Sequence, residues 1–403
     1  MAKNGYIIER YQACEISSEV VRDLGRAVFK TNGVNLLGLF LKLQPPAKQQ
    51  RSKYFNLDVF SFWGKDLFTK AASDSIVKVL LGIDLDTMYG TNEEATQFSN
   101  AFDVANEMAI YRYADFSWKI KNKIETVPNS GDELHLKKRD IVSRVLESGE
   151  ADPKYLRDMI YSIIIAGKDT TGSALTWLIY MLCKHPHIQE KIAKEVREAT
   201  NLKDNSRIDE LAASLTEEAL DKMQYLVAAL TETTRLYPAV PMNAKICFSD
   251  DTWPDGFSVK KRDMVGYNAC SMGRMKHLWG DDAEEFRPER WLDENGRFQQ
   301  ESSFKFTAFG AGPRICPEKD FAYKATKIFS AVLLGSCIFK LRDENEVAKY
   351  KIKITHHIDG GLYVQASPRL LFDDQTNALC CKRCCFPFGS LLHNLIITIV
   401  SML

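Results

Sequence analysis

The chain has 403 residues, of which 53 are basic and 53 acidic, so the formal net charge is zero and nothing electrostatic argues for a nucleic-acid partner or an acidic substrate. Hydrophobic residues make up 45% and charged residues 26%, the balance of a globular protein that buries a core rather than a disordered or fibrous chain. No run reaches the roughly 18 consecutive apolar residues of a spanning helix, and the opening Met-Ala-Lys-Asn-Gly lacks the apolar region of a signal peptide, so a soluble chain without an anchor is expected.

Helical periodicity leads the first half. Apolar residues recur at Val20, Val21, Leu24 and Val28 and again at Leu36, Leu37, Phe40 and Leu41, with a break at Asn32-Gly33 and a connector at Pro45-Pro46. Further helices are expected around Leu67–Leu81, Glu94–Tyr111 and Ile141–Leu146. The longest is expected over Asp152–Lys184, with Pro153 in the first turn where a missing N–H costs nothing. His185-Pro186 closes it, and Ile188–Ala199 and Leu226–Leu236 follow. Beyond Pro238 the pattern changes to short strands, Ile246–Phe248, Phe257–Val259 and Met264–Tyr267, around the turn Pro254-Asp255-Gly256. A hairpin of Ile352–Thr355 and Leu362–Ala366 is expected around Asp359-Gly360-Gly361.

Six of the ten cysteines, Cys14, Cys183, Cys247, Cys270, Cys316 and Cys337, stand alone, a distribution that fits a reducing compartment rather than a disulfide framework. Cys316 differs from the others in its setting. It ends the run Phe309-Gly310-Ala311-Gly312-Pro313-Arg314-Ile315-Cys316 and precedes a helix-like stretch, Lys319–Phe329. A thiol at a helix N-terminus feels a partial positive charge that favours the thiolate. A lone cysteine is otherwise a buried structural residue. In the middle of the longest helix, Ala166-Gly167-Lys168-Asp169-Thr170-Thr171 sets two small residues beside groups able to bond helix carbonyls, which suits either a packing notch or a ligand groove. The pair Glu232-x-x-Arg235 shares one helix face, but the same spacing recurs at Glu19/Arg22 and Glu284/Arg287 and by itself decides nothing.

Taken in order, these motifs resemble those of the cytochrome P-450 family. The cysteine loop matches the signature Phe-x-x-Gly-x-Arg-x-Cys-x-Gly at Phe309, Gly312, Arg314 and Cys316. The run Thr231–Pro241, reading TETTRLYPAVP, followed by Pro288-Glu289-Arg290-Trp291 and then the loop, keeps the family's order. The resemblance implies a mainly α, P-450-like helical fold with small β-sheets, over residues 1–376 and incomplete at its N-terminal end. It implies haem b (iron protoporphyrin IX) with Cys316 as axial iron ligand, Ala166 and Gly167 in the oxygen groove, and Thr170 with Asp169 in proton delivery. Arg314 and Lys245 would meet the propionates, although Lys245 also reads as a solvated surface charge. Glu232, Arg235 and Arg290 would form a buried structural network beneath the cofactor.

The same resemblance implies a monooxygenase acting on an apolar substrate, with electrons from an NADPH-dependent flavoprotein reductase at the cytosolic face of the endoplasmic reticulum. The wording of 166–198 and 246–291 is most similar to the plant long-chain fatty-acid hydroxylases. Four departures support an alternative, a catalytically silent relative. Glu318, after Pro317, replaces the signature's last glycine, putting a carboxylate near the sulfur, although Pro-Glu suits a helix's first turn. None of the six tryptophans has Arg four positions on, the N-terminal part is short, and so is the segment between Trp118 and Asp140. The tail 377–403, with Cys380, Cys381, Cys384 and Cys385, reads as a zinc half-site, an acylation site or an unrelated appendage, and the last is expected.

Overall fold

The computed structural model describes residues 60–81, 87, 152–202, 208–352 and 354–369. The helices expected near residues 20–41, 94–111 and 141–146, and the cysteine-bearing tail, lie outside the described residues.

Strand β1 (Phe60–Trp63) runs directly into helix α1 (Gly64–Leu81). The long helix, α2 (Pro153–Lys184), has 32 residues and begins at the expected proline. Its C-terminal half is apolar on every side, which is the pattern of a helix surrounded by protein. Leu175, Trp177, Leu178, Ile179 and Leu182 are all at most 1% exposed. Around this half pack α3 (Pro186–Thr200), whose amphipathic face buries Ile188, Ile192 and Val196, and α6 (Gln224–Leu236). Two short helices, α4 (Ile208–Ser214) and α5 (Glu217–Lys222), lie between them in sequence, and neither was legible in the periodicity. They are too short to show a helical repeat.

The strands depart from expectation in register. Met242–Ile246 (β2) pairs with Met264–Asn268 (β5), and Asp251–Thr252 (β3) with Ser258–Val259 (β4), so the strand expected over Ile246–Phe248 lies earlier and ends at Ile246. The alternation Asn243, Lys245, Cys247 faces inward while Met242 and Phe248 face out, which hides the strand from a reading based on apolar runs.

After the cysteine loop comes α9 (Lys319–Ser336), preceded in the chain by the one-turn helices α7 (Ala269–Met272) and α8 (Lys276–Trp279). Cys337–Leu341 (β6) continues directly from α9. The expected C-terminal hairpin is corrected. Tyr350–Ile352 (β7) pairs with His356–Ile358 (β8), whereas Tyr363–Pro368 (β9) leaves for a three-stranded sheet in the order β1-β9-β6. The glycines at 360 and 361, with φ of 75° and 85°, turn the chain from one sheet to the other rather than closing a hairpin.

Candidate functional site

The loop carrying Cys316 is shaped by two residues only glycine occupies easily: Gly310 and Gly312 have φ of 72° and 67°. The chain thereby folds back so that the Cys316 N–H donates to the Phe309 carbonyl at 2.8 Å. The Phe309 ring rests 5.4 Å from Tyr323 on α9 and 6.4 Å from Phe306, which holds the loop against the helix. Cys316 is half-buried, three residues before α9 begins.

Burial pushes the Cys316 thiol pKa up; the Glu318 N–H directed at the sulfur opposes this, the Glu318 carboxylate reinforces it, and Lys319 opposes it. Burial likewise raises the pKa of the Glu318 carboxyl. Glu318 stands at the N-cap rather than inside the first turn as its sequence suggested, and its side chain caps nothing. It therefore loses the capping benefit that would favour it there.

Beneath the loop lies a cluster of Ala228, Leu278, Trp279, Ala283, Trp291 and Phe306. Within this apolar layer Glu232 takes both arms of the Arg235 guanidinium at 2.7 Å each. Arg290 reaches the same carboxylate at 3.4 Å, and the Trp291 Nε1–H donates to it at 2.8 Å. The Arg287 N–H adds a bond at 3.0 Å. Arg235 also donates to the carbonyls of Gly273, Ala283 and Glu285, and Arg290 to those of Trp279 and Asp282. Trp291 and Asp282 did not emerge from the sequence as members. Trp291 is adjacent to Arg290 in the Pro-Glu-Arg-Trp run and could have been suspected; nothing near Asp282 marks it.

On α2 the motif residues divide by face. Ala166 is exposed, and Thr170, one turn on, is half-buried and donates its hydroxyl to the Ala166 carbonyl. Gly167 packs toward α1. A Cβ there would stand 2.8 Å from Ile76 Cγ1, so the missing side chain admits α1, and the packing-notch reading applies to this residue. Asp169 is buried, 3.9 Å from the ammonium of the equally buried Lys168. Phe321 of α9 packs into the cluster of Ile76, Val77, Leu80 and Ile164, which brings the start of the cysteine-following helix to the middle of α2.

Behind Thr170, strand β8 fastens to α2. The His356 carbonyl accepts from Ser173 Oγ at 2.5 Å and Trp177 Nε1 at 2.8 Å, while the His356 N–H donates to Ala239 O at 2.8 Å. The imidazole is buried among the rings of Trp177, Tyr237 and Tyr350, with the Pro238 backbone beside it.

Lys245 of β2 and Arg314 of the loop lie close enough for repulsion to lower the Lys245 pKa, an effect that follows burial in size. No carboxylate is among the groups that shift Lys245. Two cations on separate elements, Lys245 buried and Arg314 exposed, suit a ligand with two carboxylates, and the half-buried thiol two residues beyond Arg314 suits a metal. The residues present thus fit a haem. Cys316 would hold its iron, and Arg314 and Lys245 its propionates. When bound, that group supplies the activation of dioxygen.

A family model for cytochrome P450 matches residues 42–361. Cytochrome P450 704C1 of Pinus taeda is 40% identical, over 89% of this chain and 75% of its own length. Cytochrome P450 704B1 of Arabidopsis thaliana is 35% identical, over 88% and 76%, and cytochrome P450 94A1 of Vicia sativa is 32% identical, over 76% and 63%. The chain belongs to the cytochrome P450 family, whose members are haem-thiolate monooxygenases. Membership favours the oxygen-inserting enzyme over the silent relative.

Proposed function

We propose that the protein hydroxylates a long-chain fatty acid, with electrons from an NADPH-dependent flavoprotein reductase, at the cytosolic face of the endoplasmic reticulum. Residues 1–376 form the haem domain, and 377–403 a separate tail. Cys316 is the axial ligand in a loop shaped by Phe309 and Gly312; Arg314 and Lys245 bind the propionates; Ala166 leaves room on α2, and Gly167 lets α1 support it. Thr170 holds a proton at Oγ1 and Asp169 supports its replacement. Glu232, Arg235 and Arg290 keep the bed of the loop rigid.

The observation that carries the reading is the half-buried thiol three residues before α9, in a loop turned by Gly310 and Gly312, with Arg314 in the same loop and Lys245 within its electrostatic reach. The fatty-acid assignment rests on the resemblance of 166–198 and 246–291 to plant fatty-acid hydroxylases. Membrane association is supported by exposed apolar side chains on β2 and β5 and just beyond β2, where Met242, Met264 and Phe248 are 63%, 74% and 58% exposed. No described helix is long and apolar enough to cross a membrane.

Two measurements test the proposal. The reduced, carbon-monoxide-treated protein should show the Soret band of thiolate-ligated haem. Incubation with long-chain fatty acids, reductase and NADPH should yield hydroxylated acids by mass spectrometry. A normal spectrum with no fatty-acid product would refute the substrate while leaving the cofactor assignment standing.

A further inference from the structure

A cavity of about 370 Å³ opens on the face of α9 opposite Phe321 and so lies outside the site facing α2. One side of it is aromatic and the other charged. Trp291 stacks on Phe298 with centroids 6.2 Å apart and meets Phe306 edge-on at 5.0 Å. Tyr323 closes one end, its hydroxyl 3.1 Å from Thr231 Oγ1. A space of this size falls in the range of small-molecule sites, and its lining pairs an aromatic side with a charged one.

Three lysines of α9 reach the cavity, and two of them are engaged. Lys324 pairs with Glu217. Lys327 donates to the Leu220 carbonyl at 2.9 Å and lies in the field of Asp221, Glu195 and Glu217. Lys319 has no carboxylate partner among the described residues; its ammonium stands 6.0 Å from the Phe309 ring. Asp320, the remaining carboxylate of the lining, belongs to the first turn of α9, where the helix dipole favours it.

We propose that this cavity binds a small aromatic carboxylate, with its ring against Phe298 and Tyr323, which are partly exposed, and its carboxylate on Lys319. A neutral ligand would leave the ammonium unmatched. A dianion such as a phosphate monoester would meet Glu217, Asp221 and Asp320 around a single free cation. The occupant touches Tyr323, which with Phe306 holds Phe309, whose carbonyl receives the Cys316 N–H. The site is thus an effector position behind the cysteine loop, distinct from the substrate side.

Calorimetric titration of the haem-loaded protein with 2-naphthoate tests this. One saturable site is expected, weakened at least about tenfold in Lys319→Gln, the loss of one charge-assisted contact, and retained in Lys319→Arg. Gln300→Trp, at an exposed rim position, should block the cavity without disturbing the core. The absence of saturable heat, or equal affinity in Lys319→Gln or Gln300→Trp, overturns the proposal. So does heat that tracks a shift of haem absorption and survives Lys319→Gln, because the acid then sits on the α2 side.

Discussion

Glu232 and Arg235, three residues apart on α6, form a two-point ion pair in which neither side chain is exposed to solvent at all. The carboxylate accepts from four residues, Arg235, Arg290, Trp291 and the Arg287 backbone, so its lone pairs are used and its charge is matched. This is the geometry in which a buried ion pair is tolerated.

Removing one partner should therefore be costly. Glu232→Ala leaves Arg235 and Arg290 facing each other in an apolar layer and should destabilise the fold by about 3–5 kcal/mol. Denaturant unfolding of the two proteins measures it. A loss below about 1 kcal/mol, the range of exposed pairs, would show that water reaches the network.

Cys316→Ala should eliminate the haem-thiolate absorption while leaving the helical circular dichroism unchanged, because the loop is held by Phe309 and its glycines rather than by the sulfur. Retention of the spectrum would identify another ligand.

Glu318→Gly should raise haem affinity. The carboxylate pushes the Cys316 thiol toward its neutral form, and the side chain provides no cap to offset this. Haem titration of both proteins decides the matter; equal affinity would place Glu318 in solvent.

His356 gives the fold a pH dependence. Burial, with Arg274 nearby adding to it, lowers its pKa from 6.5 to about 4, so the folded protein requires the neutral ring. A group with a depressed basic pKa contributes full stability above its unfolded pKa and loses it as pH falls toward the folded value. Between pH 7 and pH 5 the loss should be about 2 kcal/mol. His356→Phe, which fits the surrounding rings, should remove that component, as denaturation at the two pH values would show. An identical pH slope in the variant would assign the loss to other groups.

Thr170→Ala should leave haem binding intact and divert reducing equivalents to hydrogen peroxide. Its hydroxyl is the one that bonds the Ala166 carbonyl on the open face of α2. Peroxide and product yields per NADPH consumed provide the readout, with unchanged coupling excluding the relay.

The helical part of the fold was legible because long helices repeat their apolar face many times. Pro153 and Lys184 bound α2 within a residue of the expected limits. Strand partners were not legible, since pairing depends on where distant chain arrives: Tyr363–Pro368 read as one arm of a local hairpin and belongs to another sheet. At the site, the cysteine stands just before a helix as its loop suggested, whereas Glu318 takes the N-cap instead of the first turn. Gly167 was not legible, because the same absent side chain serves a ligand groove or a helix contact, and only Ile76 distinguishes them. His356 carries no local signal, its importance coming from Ser173 and Trp177 far away in sequence.

The three-stranded sheet has a consequence for how the chain is made. Phe60 is registered against Ala366, so the first described strand finds its partner only after nearly all the described chain has left the ribosome. Closing so long a loop is entropically costly and slow compared with forming α2 or α6. Until then the edge of β1 stays open, and growing chains are exposed to mispairing. A chain ending before Tyr363 should thus keep its helices yet be the form most dependent on chaperones.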